Sequence, residues 1–204
     1  MRKFITIVFG LALLTNVTFA QVSDQAVIPV AVTLNSIFRL NIVSGGNIDF
    51  AFNNLMEYQN GIENSSAYNT KFTVASSQDY DVNMVVEDDQ FIGTSVGDTT
   101  GGNHVMPLNN VGFTMVHTGG GISAGTDFDF PGTMPLGLTN GSTTIVESLA
   151  GGSNAGPISQ NAFTIEWECG TQANASMNSE SMLQQNLSAD RYTTNVFLVL
   201  SPGN

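Results

Sequence analysis

The sequence predicts an all-β protein, an antiparallel β-sandwich with one or two short helices, and three observations carry that expectation. Apolar residues recur at every second position in several short runs, the period of an extended chain with one face in a core. Turn residues separate those runs, with 21 glycines in 204 residues and many asparagines and serines besides. No long run carries the helical period, so packing strand against strand is the way to bury the apolar faces.

The first 20 residues stand apart. Met1-Arg2-Lys3 is a basic start, Phe4 to Leu14 is an apolar run, and Thr18-Phe19-Ala20 places small residues where a signal peptidase reads. Residues 1–20 therefore read as a secretory signal peptide, its apolar part too short for a membrane span. Residues 21–35 form an N-terminal extension and residues 36–204 one domain, a length sufficient for a single core. A secreted, extracellular protein is expected.

The stretch Gln25 to Ile42 organises the rest. Ala26, Ile28, Val30, Val32 and Leu34 share one face, and Phe38, Leu40 and Ile42 continue it. Strands usually span about 5–6 residues, so a break at Asn35-Ser36 is expected, with a strand on either side. Ser44-Gly45-Gly46-Asn47 is a turn, and Ile48, Phe50 and Phe52 alternate as a short strand. Asn54, Glu57 and Gly61 have the spacing of a capping box with a glycine stop, which predicts a turn or two of helix.

Lys71 to Val74 and the alternating Tyr80, Val82, Met84 and Val86 predict two strands joined as a hairpin through Ser76 to Asp79. Gly93 to Asn103 reads as an exposed loop. Strands are expected at Val111 to His117, around Phe128 and Phe130, at Thr143 to Val146 and at Phe163 to Cys169. Leu183 and Leu187 suggest a short helix over Ser179 to Leu187. Arg191 to Leu200 is a final β-prone run, ended by Pro202-Gly203.

Loss of the signal peptide leaves Arg39, Lys71 and Arg191 against 17 acidic residues, a net charge of −14. Such a surface offers no phosphate-binding face, which excludes nucleic acid as a partner. Cys169 is the single cysteine, so the fold rests on its core and not on an intramolecular disulfide. It shares an alternating face with Phe163, Ile165 and Trp167 and reads as a small buried hydrophobe.

No catalytic constellation stands out, and a non-enzymatic protein without a cofactor is expected. His104 and His117 lack metal-ligand spacing and read as solvated or core-edge residues. Glu87-Asp88-Asp89 and the pair Asp127 and Asp129 could supply oxygen ligands to calcium, but without the spacing of a calcium loop they read as acidic turns.

The two ends resemble bacterial pilin subunits of the alternate chaperone–usher type and the related spore-coat-U-like secreted domains. The residues that carry this are Ala26-Val-Ile28-Pro-Val30-Ala-Val32-Thr-Leu34 and the terminal Asp190-Arg-Tyr192-Thr-Thr-Asn-Val196-Phe-Leu198-Val-Leu200. The resemblance implies an immunoglobulin-like sandwich lacking its last strand, and a cell-surface filament built by donor-strand exchange. Ala26, Ile28, Val30, Val32 and Leu34 would be the donor knobs. Tyr192, Val196, Leu198 and Leu200 would belong to the acceptor-groove wall. The implied partners are further copies of the chain, head to tail, with a periplasmic chaperone and an outer-membrane usher, and a glycan or host-surface receptor for an adhesive subunit. Pro29 cuts across this picture, because a proline inside a ladder removes one hydrogen bond. The competing expectation is a monomeric extracellular adhesion or carbohydrate-binding module whose N-terminal strand is intramolecular.

Overall fold

The computed structural model describes residues 28–203 apart from 96, 98–101 and 133. Two units are distinguished, Met1–Leu34 and Asn35–Asn204. In the first, residues 28–34 form no strand and are exposed. The strand expected over 25–34 is thus not formed where it is described, and Ala26 lies outside the described residues. An isolated strand leaves every ladder hydrogen bond unmade, so alternation alone does not hold it extended.

The second unit is an antiparallel β-sandwich. One sheet contains β1 (Phe38–Ser44), β2 (Asn69–Ser76), β10 (Ala162–Cys169), β6 (Val111–His117) and β8 (Leu136–Gly137), in that order. Facing it is the sheet of β12 (Val196–Pro202), β3 (Tyr80–Val86), β9 (Gly141–Ser148) and β7 (Phe128–Asp129). A smaller sheet joins β11 (Tyr192–Thr193), β4 (Gln90–Gly93) and β5 (Val105–Pro107). No helix among the described residues is long and apolar enough to cross a membrane.

Alternation explains the core. Phe72 and Val74 of β2 and Phe163, Ile165, Trp167 and Cys169 of β10 are buried against Tyr80, Val82, Met84 and Val86 of β3. In β9, however, two successive residues, Ile145 and Val146, are both buried. The ladder slips there, with Val82 opposite Val146 but Asn83 opposite Thr144, so Ile145 is the extra residue of a bulge. A bulge shifts the phase of the pleat and lets neighbours share one face. Burial pushes the Cys169 thiol up to about 12, which makes it an inert core residue.

Several local expectations change. β2 and β3 are not a hairpin: β2 pairs with β1 and β10, and β3 with β12 and β9. Their connection crosses between the layers, so the two apolar faces meet across the core instead of lying side by side. Asp79 and Asn154 secure that crossing. The Asp79 carboxylate accepts from Ser153 Oγ at 2.6 Å and from Asn154 N at 3.1 Å. The buried Asn154 amide bridges both backbone groups of Tyr80, accepting from its N at 3.0 Å and donating to its O at 2.8 Å. Ile48, Phe50 and Phe52 are half-buried in alternation but lie outside any strand. Residues 179–187 are turns and bends and not a helix: Leu183 N donates outside the segment, to Tyr58 O at 3.0 Å, and Asn186 takes a positive φ of 49°. Phe130 falls outside β7, and the C-terminal run divides into β11 and β12.

The capping box forms as its spacing required. Helix α1 (Leu55–Asn60) begins at Asn54, whose side chain accepts from Glu57 N at 3.0 Å, while Glu57 Oε2 accepts from Asn54 N.

The histidines are both structural neighbours of the core. His117 Nε2 lies 2.7 Å from Gln160 O, its ring against Phe128 and Phe163. Of its two readings, solvated or core-edge, His104 takes the second: it is buried, and its Nδ1 is 3.0 Å from Asp190 Oδ2. Asp190 also accepts from the Thr94 hydroxyl, Ser95 N and Arg191 N, tying β4 to β11. The Thr94 hydroxyl foremost, then His104 and the Ser95 amide, hold the Asp190 carboxyl well below the usual range. A depressed carboxyl stabilises the fold above its ordinary pKa of about 3.9, and that share is lost as pH falls through the native value. The variant Asp190→Asn should therefore melt lower than the parent at pH 7, with the gap closing as pH drops below about 4. Thermal melts across that range check this; a gap independent of pH would assign the loss to packing.

Candidate functional site

The sandwich is open along one side. β1 ends its sheet and β12 ends the other, and an apolar cavity of about 400 Å³ lies between these two edges. Leu40 and Ile42 line it from β1, and Val196 and Leu198 from β12. Ile165 and Trp167 of β10 reach it from the floor, with Val111, Leu138 and Phe91 beside them. Ile48 and Phe50 close one flank. Among the described residues no charged side chain lines the cavity.

Burial falls off from strand to strand toward the open side. Val86, Met84 and Val82 of β3 are at most 5% exposed, whereas Val196, Leu198 and Leu200, their partners on β12, are only half-buried. Inward-facing side chains on the last strand thus lack a layer that their neighbours have. β1 shows the same falling-off, with Ile42 41% exposed. Edge strands with unpaired backbone and apolar faces are open to the addition of another strand.

The backbone has a definite parity. Glu87 N donates to Asn195 O at 2.9 Å and Gly203 N to Asp79 O at 2.9 Å, so the odd-numbered residues of β12 bond to β3. The N–H and C=O groups of Val196, Leu198 and Leu200 consequently point to the open side. In β1, Ser77 N donates to Ile37 O at 3.0 Å, which directs the groups of Phe38, Leu40 and Ile42 away from β2. On both rims the residues that offer an apolar side chain also offer backbone groups that bond to no neighbouring strand among the described residues.

A short polar relay sets the groove's end. Trp167 Nε1 donates to Thr70 Oγ1 at 2.9 Å, and Thr70 Oγ1 donates to Gly45 O at 2.6 Å. Gly45 has φ +69°, and a Cβ there would meet Asn69 O at 1.9 Å, so only glycine turns the chain this close to β2. The relay satisfies the indole's one donor at the groove.

Of the residues singled out from sequence, Val196 and Leu198 line the cavity and Leu200 continues their face. Tyr192 sits elsewhere: β11 pairs with β4, and its hydroxyl lies 2.7 Å from Asn103 O and 2.8 Å from Ser188 O. Ile28, Val30, Val32 and Leu34 are 79–90% exposed. The acidic groupings disperse their oxygens. Asp88 accepts from Thr194 Oγ1 at 3.0 Å, Asp89 from Asn140 Nδ2 at 2.8 Å and Asp127 from Ser123 N at 2.8 Å. Among the described residues no group of three His, Cys, Asp or Glu could hold a metal ion. The cavity's flank and floor, Ile48, Phe50, Phe91 and Trp167, went unrecognised as site residues; the alternation of Ile48 and Phe50 was the available signal.

No family model and no curated protein sequence matches the chain.

Proposed function

We propose that this protein is a secreted subunit of a surface filament, in which the groove of one copy takes up the N-terminal segment of the next. One observation carries the reading: two unpaired edge strands flank a single apolar groove, each presenting free backbone groups and half-buried side chains to it. The same chain supplies a segment of matching chemistry. Ile28, Val30, Val32 and Leu34 alternate, are exposed and belong to no strand. Insertion would give the segment a ladder on β12 and bury its apolar side chains in the groove, strand addition in its ordinary form.

The contact joins one end of a subunit to a different surface on the next. Such heterologous contacts do not close on themselves, and they propagate as a fibre. An apolar groove in transit through a secretory compartment calls for temporary cover, which is the part a periplasmic chaperone and an outer-membrane usher would play. The role is structural, and the reading assigns no catalytic residue.

The test compares residues 21–204 with residues 35–204 by sedimentation velocity and electron microscopy. The longer chain should form filaments, and the shorter should stay folded and monomeric. A longer chain that remains monomeric, including when expressed in its native secretion background, while truncation merely lowers its melting temperature, would make the N-terminal strand intramolecular.

A further inference from the structure

We propose that Pro29 fixes the direction in which the N-terminal segment enters the groove, antiparallel to β12. This rests on the strand-insertion reading above and adds a role for the one residue that seemed to oppose it.

Parity decides the matter. Within residues 28–34 the large apolar side chains, Ile28, Val30, Val32 and Leu34, are all even-numbered, so the even residues must face the groove floor and the odd ones solvent. On β12 the even residues likewise face inward, and their N–H and C=O groups point to the open side. In an antiparallel ladder, directly opposed residues share a face and exchange both hydrogen bonds. Ile28, Val30, Val32 and Leu34 would then bond to β12 with their own backbone groups, and the odd residues would point away from it. Pro29, which has no N–H, would cost that ladder nothing.

A parallel insertion reverses the assignment. In a parallel ladder a residue bonds to the two neighbours of the one opposite it. With even side chains still inward, the odd residues would have to bond to β12, and Pro29 would leave one acceptor on that strand unmet. β12 is the ladder that counts, because β1 belongs to the opposing sheet. In the antiparallel arrangement the odd residues of the segment direct their backbone groups away from that ladder. A proline at 29 is tolerated in one direction and penalised in the other.

Proline substitutions in the full mature chain, residues 21–204, test the rule. Ala31→Pro and Thr33→Pro, at odd positions, should leave the critical concentration for assembly within about threefold of the parent. Val30→Pro and Val32→Pro, at even positions, should raise it at least about tenfold, since each removes a bond to β12. Val30→Ala and Val32→Ala separate loss of a side chain from loss of the bond. Pro29→Ala should change little. All these residues are exposed and outside any strand, so the melting temperature of the monomer reports whether the domain is intact. Equal effects at odd and even positions, or a tenfold gain from Pro29→Ala, would overturn the assignment while filaments still form. A parent chain that never assembles removes the insertion reading and this inference with it.

Discussion

The double variant Val30→Asp, Val32→Asp is expected to abolish assembly and to leave the monomer's melting temperature unchanged. Both side chains are about four-fifths exposed in the single chain, at 84% and 79%, so a charge there costs the folded domain nothing. In the groove they would meet Leu40, Ile42, Trp167 and Leu198, with no basic side chain lining the cavity. Removing a carboxylate from water without a partner costs several kcal/mol even after relaxation. Two such penalties exceed what one inserted segment is expected to contribute. Sedimentation velocity should show only monomer at concentrations where the parent is fully assembled. Filaments of normal yield from the variant would move the assembly contact to another surface.

A chain that carries its own insert should be markedly more stable and unable to polymerise. β12 ends at Pro202, so a second copy of residues 25–34, joined after Asn204 by a short glycine-asparagine turn, can fold back antiparallel to it. Each inserted Ile, Val or Leu contributes about 1.5–3 kcal/mol on burial. Ordering the segment opposes this at about 1–2 kcal/mol per residue, and the ladder on β12 adds about 1 kcal/mol per bond. In this reading burial and ladder together outweigh the ordering cost, and each kcal/mol of net gain raises the melting temperature by about 2–4 °C for a domain of this size. Calorimetry checks the shift, and electron microscopy checks that filaments no longer form. An identical extension bearing the two aspartates serves as control. A melting temperature unmoved by the apolar extension would mean that the groove does not accept a strand.

Local elements were legible wherever a short pattern fixes its own hydrogen bonds. Asn54 and Glu57 satisfy each other's backbone, so their three-residue spacing was sufficient to place α1. Val111–His117 and Tyr80–Val86 run between the residues where their alternation began and ended. Ile48, Phe50 and Phe52 carry the same signal without a ladder, and 28–34 carry it without either a ladder or burial. Alternation records which face of a chain is apolar and not whether a neighbour is present to bond it. The polar partners of Asp190 and Trp167 were out of reach for a different reason. They are contributed by Thr94 and His104 in one case and by Thr70 in the other, far apart in sequence.

What the sequence by itself determined is the all-β class, the phase of most core strands and the apolar alternation before residue 35. Period two, turn chemistry and capping are local properties, and they survive in any arrangement of the strands. Only the tertiary structure decided that β2 and β3 face each other across the core, and that β1 and β12 end their sheets among the described residues with a groove between them. Every residue offers the same backbone donor and acceptor, so strand identity does not select a neighbour; packing across the core does. In this fold that choice leaves β1 and β12 at the ends of their sheets, with Trp167 lining the groove between them.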